Sequence, residues 1–280
     1  KKMNKRILSI ILIITTGIFI SCSNNESEEH IEPIFIIIPD IKFEEKLIDL
    51  GIDTDGIVNQ KILKTDVEKV ERLELYTTST NVISSLEGIE AFVNLKRLYA
   101  PNNNLETIDL SKNILLDTIH LGFNNLTSIT GLNDAKDLKW LSLSGNLFTE
   151  FTIENPSVKN ILMSHNELVS FNASKCPNLK SVLLKLNKIE SLDFTTNPLL
   201  ETLIFSANRV ETINLKNNIN LKYVYCSSNL FSSFDVSMLN NLIDLRIDRN
   251  PNLSCIKIAV GQNIPTLNLS TYQEVNVNCY

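Results

Sequence analysis

Glycine and proline are scarce, eight of each in 280 residues, which excludes a collagen-like or linker-dominated chain. Histidine is scarcer still: His30, His120 and His165 are the whole supply. None stands at metal-ligand or catalytic-triad spacing from an Asp, Glu or Cys, and no glycine-rich phosphate loop occurs. The residues thus offer no catalytic constellation, and neither an enzymatic activity nor a cofactor is expected. Basic charge is also short. Lys and Arg number 26 against 32 acids, for a net charge of −6. Four of those cations, Lys1, Lys2, Lys5 and Arg6, crowd the first six positions, and no acid precedes Glu26. The remainder is acidic, which repels phosphate backbones and argues against nucleic acid as a partner.

What is present begins with those cations. They form a basic segment followed by an apolar stretch from Ile7 to Ile20. That stretch is too short for a comfortable transmembrane helix and fits the hydrophobic region of a signal peptide. It ends in Phe19-Ile20-Ser21-Cys22, which resembles the lipobox of bacterial lipoproteins, although Phe19 stands where that motif prefers Leu. The resemblance implies a leader over residues 1–21, cleavage after Ser21, and lipidation of Cys22. Several acyl chains together would hold the protein stably on a membrane. Removal of the leader takes the net charge from −6 to about −10. Residues 22–33 are polar and acidic and read as a flexible tether. The tether resembles the acidic export signals of surface-displayed lipoproteins; a plain solvated spacer is the alternative. The expected location is the cell envelope, lipid-anchored, at the outer membrane and exposed on the surface.

The rest of the chain repeats itself. A pattern LxxLxLxxNxL starts at Leu95, Leu116, Leu138, Val158, Leu179, Leu200, Leu221 and Leu242, in steps of 21, 22, 20, 21, 21, 21 and 21 residues. An Asn stands eight residues after every start: Asn103, Asn124, Asn146, Asn166, Asn187, Asn208, Asn229 and Asn250. Apolar residues at +3 and +5 alternate with polar ones, the signature of a short strand with one buried face. The Asn follows where the chain turns inward, and its amide both donates and accepts, so stacked Asn residues can satisfy backbone groups of neighbouring coils. A second apolar pair at +13 and +15, such as Ile108/Leu110, Phe151/Ile153 and Leu192/Phe194, gives each coil a second inward segment. One coil cannot bury both; stacking does.

This pattern resembles bacterial leucine-rich-repeat proteins of internalin-like repeat length, over roughly residues 34–280. The resemblance implies an α/β-type repeat solenoid dominated by short parallel strands, right-handed, with about eight regular coils of 20–22 residues. Its divisions would be an N-terminal cap over 34–69, a solenoid over 70–254 that opens with an irregular coil (Val70, Leu73, Leu75, then a late Asn81), and a C-terminal cap over 255–280. In the first cap Pro39-Asp40 offers turn chemistry, and Phe43, Leu47 and Ile48 have helical spacing. Asp53-Thr54-Asp55-Gly56 resembles part of a calcium loop. The loop's first and twelfth positions would fall on Gly51 and Ile62, neither a carboxylate, so a turn is expected and no metal. Cys226 falls at an apolar +5 position and reads as a core thiol. Cys176 replaces the Asn seen at Asn113, Asn197 and Asn218 and reads as a turn residue. Cys255 and Cys279 flank the last segment; an exported protein permits a disulfide there, contributing on the order of 3 kcal/mol, with two buried thiols as the alternative.

Function in this fold is expected on the concave face lined by the strands. With +3 and +5 inward, +2 and +4 point outward. The +4 column places Leu162, Leu183, Ile204 and Tyr225 in one line across four coils. Tyr99 opens the column, Arg246 closes it, and Trp140 and Tyr223 come from the +2 column. A contiguous apolar stripe with aromatic and Arg anchors marks an interaction surface. The expected role is recognition or adhesion, binding a protein of a host, a neighbouring cell or the same envelope. A glycan is the other partner class that aromatic platforms suit, and an envelope spacer without any ligand is the third reading.

Overall fold

The computed structural model describes residues 32–76 and 82–279. The leader, Cys22, His30 and Asn81 lie outside the described residues.

Short parallel strands dominate. Ten of them, each three residues long, form one continuous sheet: Arg72–Glu74, Arg97–Tyr99, Thr118–His120, Trp140–Ser142, Asn160–Leu162, Ser181–Leu183, Thr202–Ile204, Tyr223–Tyr225, Asp244–Arg246 and Thr266–Asn268. Each strand pairs in register with its counterpart one coil away. Ile161, for instance, lies opposite Leu141 on one side and Val182 on the other. The +3 and +5 residues of the eight coils, from Leu98 and Ala100 to Leu245 and Ile247, are fully buried. The second apolar pairs meet them from across the coil: Ile108, Leu110, Phe151, Ile153, Leu192 and Phe194 join the same core. Ring contacts run along this second layer, Phe148–Phe151 at 5.9 Å, Phe151–Phe171 at 6.2 Å and Phe171–Phe194 at 6.1 Å between centroids.

The Asn series forms one spine, buried except at half-buried Asn187, with a constant bonding rule. Asn208 accepts from the Ile189 N–H of the preceding coil at 3.0 Å. It donates to the Leu184 carbonyl of that coil and to its own coil's Phe205 carbonyl, both at 2.9 Å. Asn229 repeats the arrangement one coil on, with Val210, Phe205 and Cys226. Every +5 carbonyl inside the stack is therefore shared by two amides. Where the turn precedes the Asn, residues such as Phe123, His165, Leu186 and Ala207 take φ near +57°.

A second spine runs along the far side of the coils. Asn113, Asn155, Asn197 and Asn218 each donate twice to carbonyls of the preceding coils. Cys176 belongs to this spine: it sits between two turns, wholly buried, with Sγ 3.6 Å from the Ile153 carbonyl. The amide oxygens of Asn113, Asn197 and Asn218 have no partner among the described residues, whereas that of Asn155 accepts from the Ser157 N–H at 3.0 Å.

Among the described residues helix is confined to the first cap, in Ile41–Asp49 and Lys64–Val67, apart from one 3-10 turn at Ile89–Ala91. Asp40 caps the longer helix, its Oδ1 accepting from the N–H groups of Lys42 and Phe43. Its Oδ2 accepts from Ser84 and Ser85, which fastens the cap to the first coil. No helix among the described residues is long and apolar enough to cross a membrane.

At the other end the repeat runs on past the expected boundary at residue 255. Thr266–Asn268 adds a tenth strand to the sheet, and Glu274–Asn276 pairs with Cys255–Lys257 on the far side. Two glutamines take over the spines. Gln273 donates to the Ile247 carbonyl, and Gln262 to those of Val236 and Leu239. A disulfide joins Cys255 to Cys279, with Cα atoms 5.8 Å apart.

Candidate binding face

The +2 and +4 side chains emerge from the long sheet on its outer face, and strand register aligns them. Leu162, Leu183, Ile204, Tyr225 and Arg246 follow one another across hydrogen-bonded strands. Leu162, Leu183 and Ile204 are half-buried and lie in register with their column neighbours. Trp140 and Tyr223 stand further out, 42% and 37% exposed, but Asn160, Ser181 and Thr202 separate them along the +2 column. Adjacent strands are about 4.8 Å apart, so these two rings lie roughly 19 Å from each other.

Both ends of the column are built from more than the expected residues. At the early end Tyr99 stacks on Tyr76 at 6.4 Å and meets His120 edge-on at 6.3 Å. The Arg72 guanidinium lies 4.7 Å from the Tyr99 ring centre. Burial lowers the His120 pKa below its ordinary value. Tyr76 is the contact that sequence reasoning left out. It occupies the outward position after Leu75 in the irregular first coil, where the same alternation would have placed it.

At the late end Arg246 is committed. Its guanidinium lies 4.3 Å from the Tyr225 ring centre and donates to Asp244 Oδ2 at 2.9 Å. The Tyr225 hydroxyl donates to the same oxygen at 2.8 Å. Burial, reinforced by that bond, pushes the Tyr225 phenol pKa up. Burial pushes Asp244 up as well, but the bonds from Arg246 and Tyr225 outweigh it and hold the carboxyl below its ordinary value. Asp244, nearly buried, thus locks two expected anchors into one rigid unit. Nothing in the repeat pattern marks it, because +2 positions carry residues of every kind.

The remaining chemistry-bearing residues stay apart from this face. Asp55 accepts from the Ile57 N–H and the Asn59 amide, so the Asp53–Gly56 segment is a turn, with Gly56 at φ +66°. Among the described residues no group of three or more His, Cys, Asp and Glu is placed to hold a metal ion. Cys226 is wholly buried, and burial pushes its thiol pKa well up.

No protein-family profile matches the chain. A curated adenylate cyclase of Schizosaccharomyces pombe is 27% identical over 145 residues, which is 50% of this chain but 8% of that protein. Among solved structures, the functional domain of InlJ from Listeria monocytogenes, which includes a cysteine ladder, superposes with a TM-score of 0.62 at 19% identity over 87% of this chain. A leucine-rich-repeat protein of Leptospira interrogans superposes with a TM-score of 0.61 at 20% identity over 76%. The chain spans 63% and 62% of those two structures. At such identities the likeness is one of fold, and with the parallel coils and their Asn spine it makes this chain a leucine-rich-repeat solenoid.

Proposed function

We propose that the chain is a recognition module, held on the cell envelope by lipid at Cys22, that takes a protein partner on the outer face of the long sheet and catalyses nothing. The observation that carries this reading is the aligned column Leu162–Leu183–Ile204, flanked by Trp140 and by the Tyr223, Tyr225 and Arg246 group. A partner that covers it removes contiguous apolar surface from water, at about 25 cal/mol per Å². Tyr225 and Arg246 are held by Asp244 before binding, which lowers the ordering cost of association at that end. An acidic chain gives phosphate backbones no attraction. A glycan partner is less well served: the Tyr225 ring is already covered by Arg246, and Trp140 and Tyr223 are too far apart to sandwich one sugar.

The cyclase activity named for the fungal relative belongs to that protein, of which the matched segment is a small part. The test is to change Leu183 and Ile204 to Ser together and to measure binding to whole cells and to envelope extracts. Loss of binding with an unchanged melting temperature supports the reading; undiminished binding removes this face from consideration. Protease shaving of intact cells, followed by detection of the released chain, tests display at the surface.

A further inference from the structure

The second ladder, on the far side of the coils, runs in three separate sheets among the described residues, and its first break falls where the repeat length changes. The coil that starts at Leu116 has 22 residues and the next, from Leu138, has 20. Ser128–Thr130 pairs with Thr107–Asp109 in the preceding coil, and Glu150–Thr152 pairs with Ser170–Asn172 in the following one. The two strands do not pair with each other among the described residues. The coils touch on either side of the break: the Leu147 N–H donates to the Leu126 carbonyl at 2.9 Å, and the Glu154 N–H to Asn133 Oδ1 at 3.0 Å. Between these clasps lies an open cleft of about 680 Å³, within the range of small-ligand sites.

Gly131 shapes one wall. It takes φ +85°, and a Cβ there would fall 2.3 Å from the Leu110 and Ser111 backbone, so the longer coil turns aside without a side chain. Phe148 and Phe151 form the floor.

The cleft has backbone on both sides. In a parallel ladder the N–H and C=O of successive residues point to opposite neighbours. The Leu110 N–H donates to the Thr130 carbonyl, which turns Ser128 and Thr130 to the preceding coil and leaves Ile129 facing the break. The Ile153 N–H donates to the Asn172 carbonyl, which turns Phe151 and Ile153 to the following coil and leaves Glu150 and Thr152 facing the break. Asp134 and Glu150 line the same opening, and neither forms an ion pair among the described residues. Lys136, close by in sequence, has its Nζ on the Asn133 carbonyl.

We propose that this cleft is a second binding site, for a short extended peptide segment that carries a lysine or arginine. The segment enters as an added strand, bonded to Ile129 on one side and to Glu150 and Thr152 on the other, with its cation between Asp134 and Glu150. Unpaired strand edges give such a peptide its main-chain bonds, and the flanking side chains give its specificity. A saccharide fits less well, because Phe148 and Phe151 are 2% and 6% exposed and present no ring face for stacking.

The probe is a displayed library of random dodecapeptides, selected on the immobilised full chain; the recovered peptides are then synthesised with a fluorophore and titrated by anisotropy. Two variants report on the site. Thr152→Pro deletes an N–H that faces the cleft and serves no ladder bond, a position where an edge strand tolerates proline. Glu150→Lys reverses the charge at the rim. Recovered peptides rich in Lys or Arg and in strand-forming residues, with affinity falling roughly tenfold in each variant at unchanged melting temperature, support the proposal. It is overturned if no peptide is enriched, if neither variant alters affinity, if binding falls only in the Leu183→Ser/Ile204→Ser variant, or if a glycan array finds a ligand that Glu150→Lys abolishes while no peptide does so.

Discussion

Replacing Asn208 by alanine isolates what the buried amide spine contributes. The substitution removes three hydrogen bonds but does not orphan three groups. The Leu184 carbonyl keeps its bond from Asn187, and the Phe205 carbonyl keeps its bond from Asn229. The Ile189 N–H loses its partner outright. One buried donor left unmade costs about 1–3 kcal/mol, and each halved carbonyl adds about 0.5–1.5, so the variant should lose about 2–6 kcal/mol. That is a large share of the about 5–15 kcal/mol typical of a folded protein. Urea denaturation measures the total, and hydrogen exchange at the Ile189 amide measures the local part, which should lose its protection. Asn208→Asp sharpens the test. A carboxylate would face two carbonyl oxygens in a buried site, so its pKa in the fold must rise above the ordinary value of about 3.9. A raised acid in the folded state costs nothing below that value and destabilises progressively as pH climbs through the window above it. The aspartate variant should therefore come nearer to wild type near pH 4 than near pH 7. The reasoning fails if Asn208→Ala costs under about 1 kcal/mol with Ile189 exchange unchanged, or if the aspartate variant shows the pH profile of the parent.

Gly131→Ala should lower stability by at least about 2 kcal/mol, since it combines a positive φ with a backbone clash; an unchanged urea midpoint would contradict the geometry. Reduction of the Cys255–Cys279 bond, which closes a sequence separation of 24, should release about 3.5 kcal/mol of constraint. Dithiothreitol should raise amide exchange in the last coil first, and uniform exchange along the chain would argue otherwise. Burial, with Asp55 and Glu44 adding to it, pushes the Asp53 carboxyl from its ordinary 3.8 to about 6. A raised folded pKa means that stability falls as pH rises across that window, so Asp53→Asn should flatten the fall; denaturation midpoints at several pH values decide it.

The repeat was legible because its physics is periodic. Core positions such as Leu98 and Ile161 recur at fixed offsets, and an Asn that must satisfy three backbone groups tolerates no substitute at Asn103 through Asn250. The second spine was harder to read for the opposite reason. The donated bonds there are not obligatory: Ala135 and Leu239 fill two positions with buried apolar side chains, Cys176 and Gln262 fill two more, and the signal dissolves. The last coil escaped notice because Gln273 reaches with a longer side chain from a shifted position. On the outer face, alternation sufficed to align Leu162, Leu183 and Ile204. It could not reveal that Asp244 binds both Tyr225 and Arg246, since that contact depends on two neighbouring strands at once. The cleft at Gly131 coincides with the step lengths 22 and 20, but that a cleft opens there is seen only in the folded coils.

Because each +5 carbonyl is held by two amides from successive coils, any interior unit of 21 residues meets its neighbours through the same Asn-spine bonds as any other. Duplication of one such unit would lengthen the outer face by about 4.8 Å and leave every other contact as it was. Reach along a partner is then a heritable variable that changes in whole steps, while the ends, fastened by Asp40 and by the Cys255–Cys279 bond, need not be reinvented.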